Sequence, residues 1–388
     1  DDYFGMLDPS EGYWTASSSD ALDIGVGRFP VRTIGDAIGV VDKILRYEEV
    51  NAAGSSIGGQ EECVGGAGSA LIAPDWRNRI VMIADDEDGN MHFNQSDELS
   101  DTIQSRYPQY NLTKIFLDSY VQVSTPGGQR YPEVEVDLNN NIEKGALIVN
   151  YTGHGGELGW THERVLGISD INAWSNASNL PAFVTATCEF SRYDDPSRVS
   201  AGELVLLNPD GGGIALFTTS RLVYSAPNFN LNMKFYQNLF DEQPWGDPTM
   251  GDVIRMTKVA AGSDVNNRNF SLLGDPAQRL AYPEHNVSTL TVNGLSVTST
   301  IDTLSALELV SVSGKLVSSE TGADMTDFNG IIYPTVYDKE TTATTLGNDP
   351  SSYPAPFKVR KSLVFKGKAS VVNGSFQFQF VVPRDIAY

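Results

Sequence analysis

Short apolar runs rich in β-branched residues alternate with amphipathic stretches along most of the chain. The stretches between the runs place apolar residues three or four positions apart, which is the spacing of one helix face. Regular alternation of strands and helices is typical of βαβ units and a mostly parallel sheet. We therefore predict an α/β fold with strands at 24–31, 79–84, 114–117, 146–151, 182–187 and 213–219.

Helices are predicted between these strands from caps and apolar stripes. Thr33 and Asp36 have the spacing of a capping box and precede an apolar stripe that continues to Tyr47. Leu99, Ile103 and Tyr107 recur every fourth residue after a stretch rich in Ser and Asp. Two more helices are predicted at 228–240 and 250–261.

The pattern changes after Pro283. Apolar runs at 290–297, 307–310, 331–336, 359–365 and 375–382 alternate with Ser, Thr, Gly and Asn turns and leave no room for helices. Such runs predict an antiparallel, immunoglobulin-like β-sandwich. We predict two domains, 1–284 and 285–388, with an exposed Gly/Ser-rich loop at 52–70.

Charge excludes several classes of partner. The 388 residues carry 27 Lys and Arg against 49 Asp and Glu, a formal net charge of −22. Nucleic acids and anionic membrane surfaces attract basic proteins, so neither is an expected partner. No apolar stretch reaches the length of a membrane helix, and the first residues read as a mature chain or a cut fragment.

Two predicted strands end in reactive side chains. The strand at 146–151 runs into His154, and the strand at 182–187 runs into Cys188. Ligands of open parallel sheets bind beyond the carboxyl ends of the strands, so both residues are expected in one crevice. A thiol needs a neighbouring imidazole to take its proton, and the N–H groups of Gly155 and Cys188 are candidate oxyanion donors.

Structural explanations compete with this interpretation. A cysteine that ends an apolar run is often an inert core residue, and a single histidine is often structural. The pairing of His154 with Cys188 at two strand ends favours catalysis. Cys63 has no apolar run before it and is interpreted as incidental. The G-x-S-x-G match at 54–58 lies in a glycine-rich loop without the strand that a nucleophile elbow follows, so we treat it as chance.

Metal binding is predicted only weakly. His154, Glu157, His162 and Glu163 lack the H-E-x-x-H spacing of zinc enzymes. The acidic turn at 85–90 fails the EF-hand pattern because Met91 stands where glycine is required. Three interpretations of this turn remain. It could be an irregular calcium site, it could supply a carboxylate that orients His154, or it could be a solvated acidic turn. No cofactor is predicted, and a structural calcium ion is left open.

Three blocks in order resemble the gingipain-type, caspase-like cysteine peptidases. They are IGVGRFPV at 24–31, VNYTGHGG at 149–156 and LLGDP at 272–276, and the resemblance covers about residues 1–282. It implies a caspase-like fold in which Cys188 is the nucleophile, His154 the base and acid, and Gly155 an oxyanion donor.

The same resemblance implies an acid behind the histidine and an aromatic pocket wall. Asp86 matches the acid best, with Asp85 as a neighbouring competitor, and Tyr224 matches the wall. No single acid within 85–97 matches the charged pocket floor of the family, so cleavage after Arg or Lys is not implied.

The C-terminal strings FNGIIYPTVYDK at 328–339 and VPRDIAY at 382–388 are similar to the PorU-like signal peptidases of the type IX secretion system. This resemblance implies a Bacteroidetes enzyme at the cell surface or outer membrane that removes the C-terminal signal domain from secreted cargo. It also implies transfer of cargo to anionic lipopolysaccharide and contact with other outer-membrane components of that system. A general secreted protease and an inactive surface scaffold or adhesin are the alternatives.

Overall fold

The computed structural model of the chain describes residues 1–12, 20–54, 74–262, 264–283, 285–298, 303–319 and 321–386. These residues form two compact units. The first contains 1–50, 76–281 and 344–357, and the second is built from residues within 282–343 and 358–388.

The first unit is a mixed α/β structure. Its strands are β1 (Gly27–Arg28), β2 (Arg79–Ala84), β3 (Asn111–Phe116), β4 (Val123–Thr125), β5 (Gly128–Arg130), β6 (Ile148–Thr152), β7 (Gly155–Gly156), β8 (Gly159–Trp160), β9 (Leu166–Gly167), β10 (Ala182–Ala186), β11 (Ala215–Thr219) and β12 (Phe270–Leu273). Its α-helices are α1 (Ile34–Gly54), α2 (Met91–Arg106), α3 (Pro132–Glu143), α4 (Ile168–Ala173), α5 (Ala201–Leu207), α6 (Ser225–Phe240), α7 (Met250–Ala261) and α8 (Val265–Arg268). Short 3-10 helices lie at Asp2–Gly5, Pro74–Asn78 and Leu117–Ser119.

A seven-stranded sheet forms the centre of this unit, in the order β1-β12-β11-β10-β6-β2-β3. The ladders are parallel except between β11 and β12. Every residue of β6 and β10 is buried, which explains their continuous apolar runs. The predicted mostly parallel sheet flanked by helices is confirmed.

Of two local features predicted near the start of the chain, one forms as predicted and the other is shorter than predicted. The predicted capping box forms at α1, where Thr33 Oγ1 accepts from the Asp36 N–H and Asp36 Oδ2 accepts from the Thr33 N–H. The predicted strand at 24–31 pairs only over Gly27–Arg28. Pro30 has no N–H for a ladder, and this limits the strand.

Strand ends are aligned at one edge of the sheet. Ala84 of β2 and Ala186 of β10 both pair with Thr152 of β6. Three neighbouring parallel strands therefore end at the same level, and the residues that follow them share one rim.

The chain after residue 284 is all β in its described part. Its strands are β13 (His285–Val292), β14 (Leu295–Ser296), β15 (Leu309–Ser318), β16 (Gly330–Ile332), β17 (Thr335–Tyr337), β18 (Thr341–Thr344), β19 (Pro356–Val359), β20 (Leu363–Lys366), β21 (Ala369–Val372) and β22 (Ser375–Val381). Six of them form an antiparallel sheet in the order β14-β13-β15-β22-β21-β16, and β17 pairs with β20. The predicted antiparallel C-terminal region is confirmed.

The segment 344–357 leaves this β region and packs within the first unit. The buried Asp118 carboxylate accepts the N–H groups of Gly347 at 3.0 Å and Asn348 at 2.7 Å. At the other end Phe357 packs against Phe93 and Phe116. The division predicted at residue 284 assigns this segment to the C-terminal domain, whereas the structure places it in the first unit.

No helix among the described residues combines the length and the apolar character needed to cross a membrane.

We expect Asp118→Ala to lower the free energy of unfolding by about 3 kcal/mol, because two N–H groups lose a charged acceptor. Urea unfolding measures the loss, and limited proteolysis within 344–357 reports release of the segment. Asp101→Ala is the matched control, since Asp101 pairs with Lys114 at an exposed position and its loss should matter by less than about 1 kcal/mol. Equal losses in the two variants would contradict the role of Asp118.

Candidate active site

The rim of the sheet carries one reactive residue after each of three neighbouring strands. Asp85 follows β2, His154 lies two residues beyond β6, and Cys188 lies two residues beyond β10. The turns are joined by backbone hydrogen bonds from the Asp85 N–H to Thr152 O at 3.1 Å and from the Gly153 N–H to Ala186 O at 3.3 Å. Because Thr152 and Ala186 are register partners, His154 and Cys188 leave adjacent strands at equivalent positions.

His154 is anchored through its backbone. Its N–H donates to Asp85 Oδ2 at 2.7 Å, and its carbonyl accepts from the Tyr151 hydroxyl at 2.5 Å. The Tyr151 ring is fully buried and stacks on Trp160 at 4.3 Å between ring centroids. The loop that carries His154 is therefore fixed by packed aromatic side chains and by the Asp85 carboxylate.

Glycines permit this close packing. A Cβ on Gly153 would lie 2.3 Å from the Asp85 Cβ, and a Cβ on Gly155 would lie 2.6 Å from Thr187 Oγ1. Neither approach is compatible with a side chain. The structure thus places Gly155 against the residue that precedes Cys188, which is where an oxyanion donor would be needed; that role stays a prediction.

Two carboxylates face the His154 ring. Its Nε2 lies 3.1 Å from Asp88 Oδ2 and 3.6 Å from Glu87 Oε2. Glu87 also holds His162, with 2.6 Å between Oε1 and Nδ1. Asp88, Gly89 and Asn90 all have positive φ, and this left-handed turn sets the direction of the Asp88 side chain.

Asp86, the acid implied by the family resemblance, lies elsewhere. Its Oδ2 accepts from the Tyr131 hydroxyl at 2.5 Å, and the Gln122 amide lies 3.4 Å away. Among the described contacts it makes none with the imidazole. The side chains of neighbouring residues in a turn point in different directions, and here Asp88 rather than Asp86 meets the ring.

Asp85 and Asp86 form a buried acidic cluster with Glu163. One oxygen of each of the three carboxylates lies within 4.8 Å of those of the others. Burial is the largest cause that raises the pKa of each group above its ordinary value. A second group of the described residues, Asp85 with His92 and His154, also has its potential metal-ligand atoms within 4.8 Å of one another.

The zinc set considered from the sequence does not assemble among the described residues. Glu157 forms ion pairs with Arg192 at 2.8 Å and Arg198 at 3.2 Å. His162 binds Glu87, and Glu163 belongs to the buried acidic cluster.

Cys188 is half-buried at the end of its strand. Its Sγ lies 3.6 Å from the carbonyl oxygen of Val223. The next residue, Tyr224, caps α6 and is 75% exposed. An aromatic ring open to solvent therefore lies next in sequence to the residue that contacts the thiol, and its role as a pocket wall stays a prediction. Cys63 and residues 55–58 of the G-x-S-x-G match lie outside the described residues.

Sequence reasoning missed His92. It lies on the first turn of α2 and is 6% exposed, and its ring meets His154 edge-on at 5.1 Å between centroids. Burial, followed by the charge of His154, lowers the pKa of His92 to about 4. The only sequence signal that could have pointed to His92 was its position one helical turn after the acidic residues.

A family model establishes the relationship of this chain to known enzymes. The model of peptidase family C25 matches residues 1–281. The chain belongs to peptidase family C25. It is a cysteine-type peptidase, and the resemblance recognised from the three sequence blocks is confirmed.

The chain is similar to one curated protein and to solved structures of related proteins. Gingipain R1 of Porphyromonas gingivalis is 22% identical over 363 residues, which cover 85% of this chain and 33% of that protein. This C25 peptidase chain thus spans a third of that relative's length. The crystal structure of the Arg-specific cysteine proteinase gingipain R has a TM-score of 0.53 and 16% identity, with 100% of this chain and 73% of that chain covered. Dimeric latent PorU from P. gingivalis overlaps with a TM-score of 0.31 and 23% identity, over 100% of this chain and 29% of that one.

The low pKa of His92 predicts a pH-dependent loss of stability. Its pKa when folded, about 4, lies below the ordinary value of 6.5, so the unfolded chain takes up the proton first as the pH falls. Stability is full above 6.5 and is lost between the two values, by on the order of 3 kcal/mol. We expect His92→Gln to lose less stability than the parent between pH 7 and about pH 4 in urea unfolding.

The matched control is His285→Gln, which alters a histidine of the C-terminal β region. Its pH dependence should equal that of the parent. An unchanged pH dependence in His92→Gln would show that other groups cause the loss.

Proposed function

We propose that this chain is a cysteine endopeptidase and sortase that cleaves the C-terminal signal domain from cargo of a type IX secretion system and transfers cargo to anionic lipopolysaccharide. The observation that carries the enzymatic part is the placement of His154 and Cys188 at equivalent positions beyond two register-paired strands. The substrate and the acceptor are supported by the C-terminal sequence strings.

The proposed acylation uses His154 and Cys188 as the proton acceptor and the nucleophile. With the Nε2 proton of His154 directed to Asp88 at 3.1 Å, Nδ1 is the nitrogen with a free lone pair for the Cys188 proton. The thiolate then attacks the scissile carbonyl and forms a tetrahedral intermediate, for which the Gly155 N–H is the proposed donor. His154 returns the proton to the leaving amine as the C–N bond breaks, and a thioester remains on Cys188.

The thioester is the branch point between hydrolysis and transfer. Water gives a free carboxylate, whereas an amine on a lipopolysaccharide gives a new amide bond, and both restore the thiol. The Cys188 thiol is half-buried, and access of a bulky acceptor amine to its thioester is part of the proposal.

The acids near the site favour recognition of something other than a basic side chain. Within 85–97 every acid already has a partner. Asp85 binds the His154 backbone, Asp86 binds Tyr131, Glu87 binds His162, Asp88 faces the His154 ring and Asp97 binds Lys114. A carboxylate committed to such a contact is poorly placed to bind an incoming Arg or Lys, which supports selection by the cargo signal.

Localisation at the cell surface, on the outer membrane of a Bacteroidetes cell, is part of the same proposal. The strings at 328–339 and 382–388 support it, since they resemble PorU-like proteins rather than gingipains. Other outer-membrane components of the secretion system are the proposed neighbours.

The proposal predicts a specific defect in cells that carry Cys188→Ala. Cargo should keep its C-terminal signal domain and lack the lipopolysaccharide glycan, because both steps need the thioester. Intact mass spectrometry of secreted cargo measures the two modifications together. Cys63→Ala is the matched control and should process cargo normally.

Mature, glycan-bearing cargo from the Cys188→Ala cells would overturn the proposal. A different pair of results would identify a general secreted protease. The purified enzyme would cleave unrelated proteins, and cargo would keep its signal domain in the parent cells as well as in the mutant cells. Lack of reaction of Cys188 with peptide electrophiles would favour the scaffold alternative.

The identity of the orienting acid gives a second prediction. Asp88→Asn should lower kcat by at least about tenfold, because the imidazole loses the negative charge that favours the Nε2–H tautomer and the imidazolium formed during acylation. Glu98→Gln, an exposed residue of α2, should leave kcat unchanged. The pH profile of kcat separates an orienting role of Asp88 from a merely structural one. Loss of an orienting acid shifts the pH at which the limb assigned to His154 falls, whereas loss of folded protein lowers kcat without shifting that pH. A larger effect on kcat in Asp86→Asn than in Asp88→Asn would restore Asp86 to the role that the family resemblance implies.

A further inference from the structure

The turn that presents Asp88 to His154 is left-handed over three consecutive residues. Asp88, Gly89 and Asn90 have φ angles of 58°, 63° and 67°. Glycine adopts this conformation without strain, whereas other residues visit it singly rather than in runs. A run of three persists only where the surrounding contacts hold it.

The side chain of Asp88 does not supply those contacts. Among the described residues its carboxylate meets two imidazoles, with Oδ2 3.1 Å from Nε2 of His154 and 3.4 Å from Nε2 of His92. The direction of the carboxylate therefore depends on the backbone of the turn, and whatever fixes that backbone fixes the acid.

Segment 344–357 binds the backbone of this turn before and after its orienting acid. The Ser352 hydroxyl donates to the carbonyl oxygen of Asp86 at 2.5 Å. Ser351 Oγ accepts the N–H of Gly89 at 3.1 Å. These two hydrogen bonds lie two residues before and one residue after the acid that faces the catalytic imidazole.

Asn90 adds a reciprocal pair of hydrogen bonds to the same segment. It is 2% exposed, and its Nδ2 donates to the Tyr353 carbonyl oxygen at 2.8 Å while its Oδ1 accepts the Tyr353 N–H at 2.9 Å. Asn90 stands at the N-cap of α2, where an asparagine side chain ordinarily accepts a free N–H of the helix. It makes no such bond here. Its amide is committed to the segment instead of to the helix.

The segment is fixed by contacts of its own. The Thr345 N–H donates to the Ala355 carbonyl at 3.0 Å, and the Ala355 N–H donates to Thr345 Oγ1 at 2.9 Å, so the two ends are joined. Asp349 Oδ1 accepts the hydroxyl of Ser351 at 2.6 Å and its N–H at 2.9 Å. The Asp118 carboxylate holds a further part of the segment. A segment anchored in this way is able to hold a strained turn.

We propose that segment 344–357 is a positioning element that keeps the Asp88 carboxylate directed at His154. Its positioning residues are Ser351 and Ser352. The inference rests on the proposed function, because it needs a histidine that accepts the thiol proton with help from a carboxylate. Without these hydrogen bonds the turn would relax towards ordinary backbone angles, and the imidazolium formed on proton transfer would lose its counter-charge.

The test measures how fast iodoacetamide alkylates Cys188 in the full chain with Cys63→Ala, which leaves a single thiol. Iodoacetamide reacts with the thiolate, so its rate near neutral pH reports transfer of the thiol proton and requires no cargo. Mass spectrometry of the intact protein follows the reaction.

Two variants remove the contacts of the segment with the turn. Ser351→Ala/Ser352→Ala deletes both hydroxyls, and Asn90→Gly deletes the amide while permitting a left-handed backbone. Each should lower the alkylation rate near neutral pH at least about threefold, because less thiolate forms. Ser105→Ala, whose hydroxyl bonds within α2, is the matched control and should react as the parent does. Urea unfolding shows whether each variant folds.

A double-mutant cycle separates positioning from general stabilisation. In the Asp88→Asn background the segment variants should cause no further loss, because they act through the carboxylate that is already absent. A merely structural role would give the same loss in both backgrounds. The pH of half-maximal alkylation should rise in Asp88→Asn and in the segment variants, whereas a loss of folded protein would not move it.

Three results would overturn the inference. A lower rate in Asp88→Asn with unchanged rates in the segment variants would show that the turn holds its conformation unaided, and would leave the proposed function intact. Equal losses with and without the Asp88 carboxylate would make the segment merely structural. A parental rate in Asp88→Asn would overturn both the inference and the orienting role of Asp88 in the proposed function.

Discussion

Parallel register is the constraint on which the site depends. Thr152 pairs with Ala84 on one side and Ala186 on the other, so three strands end at one level and three turns meet at one rim. A shift of one residue in either ladder would reverse the faces of the side chains and separate the histidine from the cysteine. The buried faces of β6 and β10 resist such a shift, because every position would exchange its core contacts. The chemistry thus rests on the same packing that gives the sheet its stability.

The rim concentrates negative charge in a small space, and the acids there have two roles. Glu87 and Asp88 are more exposed than the other acids of the turn, and their carboxylates face the imidazoles of His154 and His162. Asp85, Asp86 and Glu163 are buried, and burial raises the pKa of each. A net charge of −22 makes this arrangement harder to maintain, since the rest of the chain adds no long-range attraction. The outer acids serve the histidine directly, whereas the inner acids act on its loop.

Much of the architecture was readable from the sequence, for identifiable reasons. β2 was predicted at its observed bounds, Arg79–Ala84, and α7 at Met250–Ala261, because unbroken apolar runs and helical spacing are local signals. Helix α3 was not predicted, although Val134, Leu138 and Ile142 recur every fourth residue. His154 and Cys188 were found because they end strands, but the direction of Asp88 depends on three left-handed residues that no pattern specifies. The packing of 344–357 joins residues more than 200 positions apart, and such contacts leave no local trace.

The placement of 344–357 bears on how the protein is made. The turn at 85–90 and the segment that hydrogen-bonds to it through Asn90 and Ser352 are separated by most of the chain. At about 5–20 residues per second, a ribosome needs on the order of tens of seconds to travel between them. During that interval the turn at 85–90 lacks its contacts with the segment 344–357. The hydrogen bonds of Asp86 and Asn90 with Ser352 and Tyr353 can therefore form only after every strand of the central sheet has been synthesised.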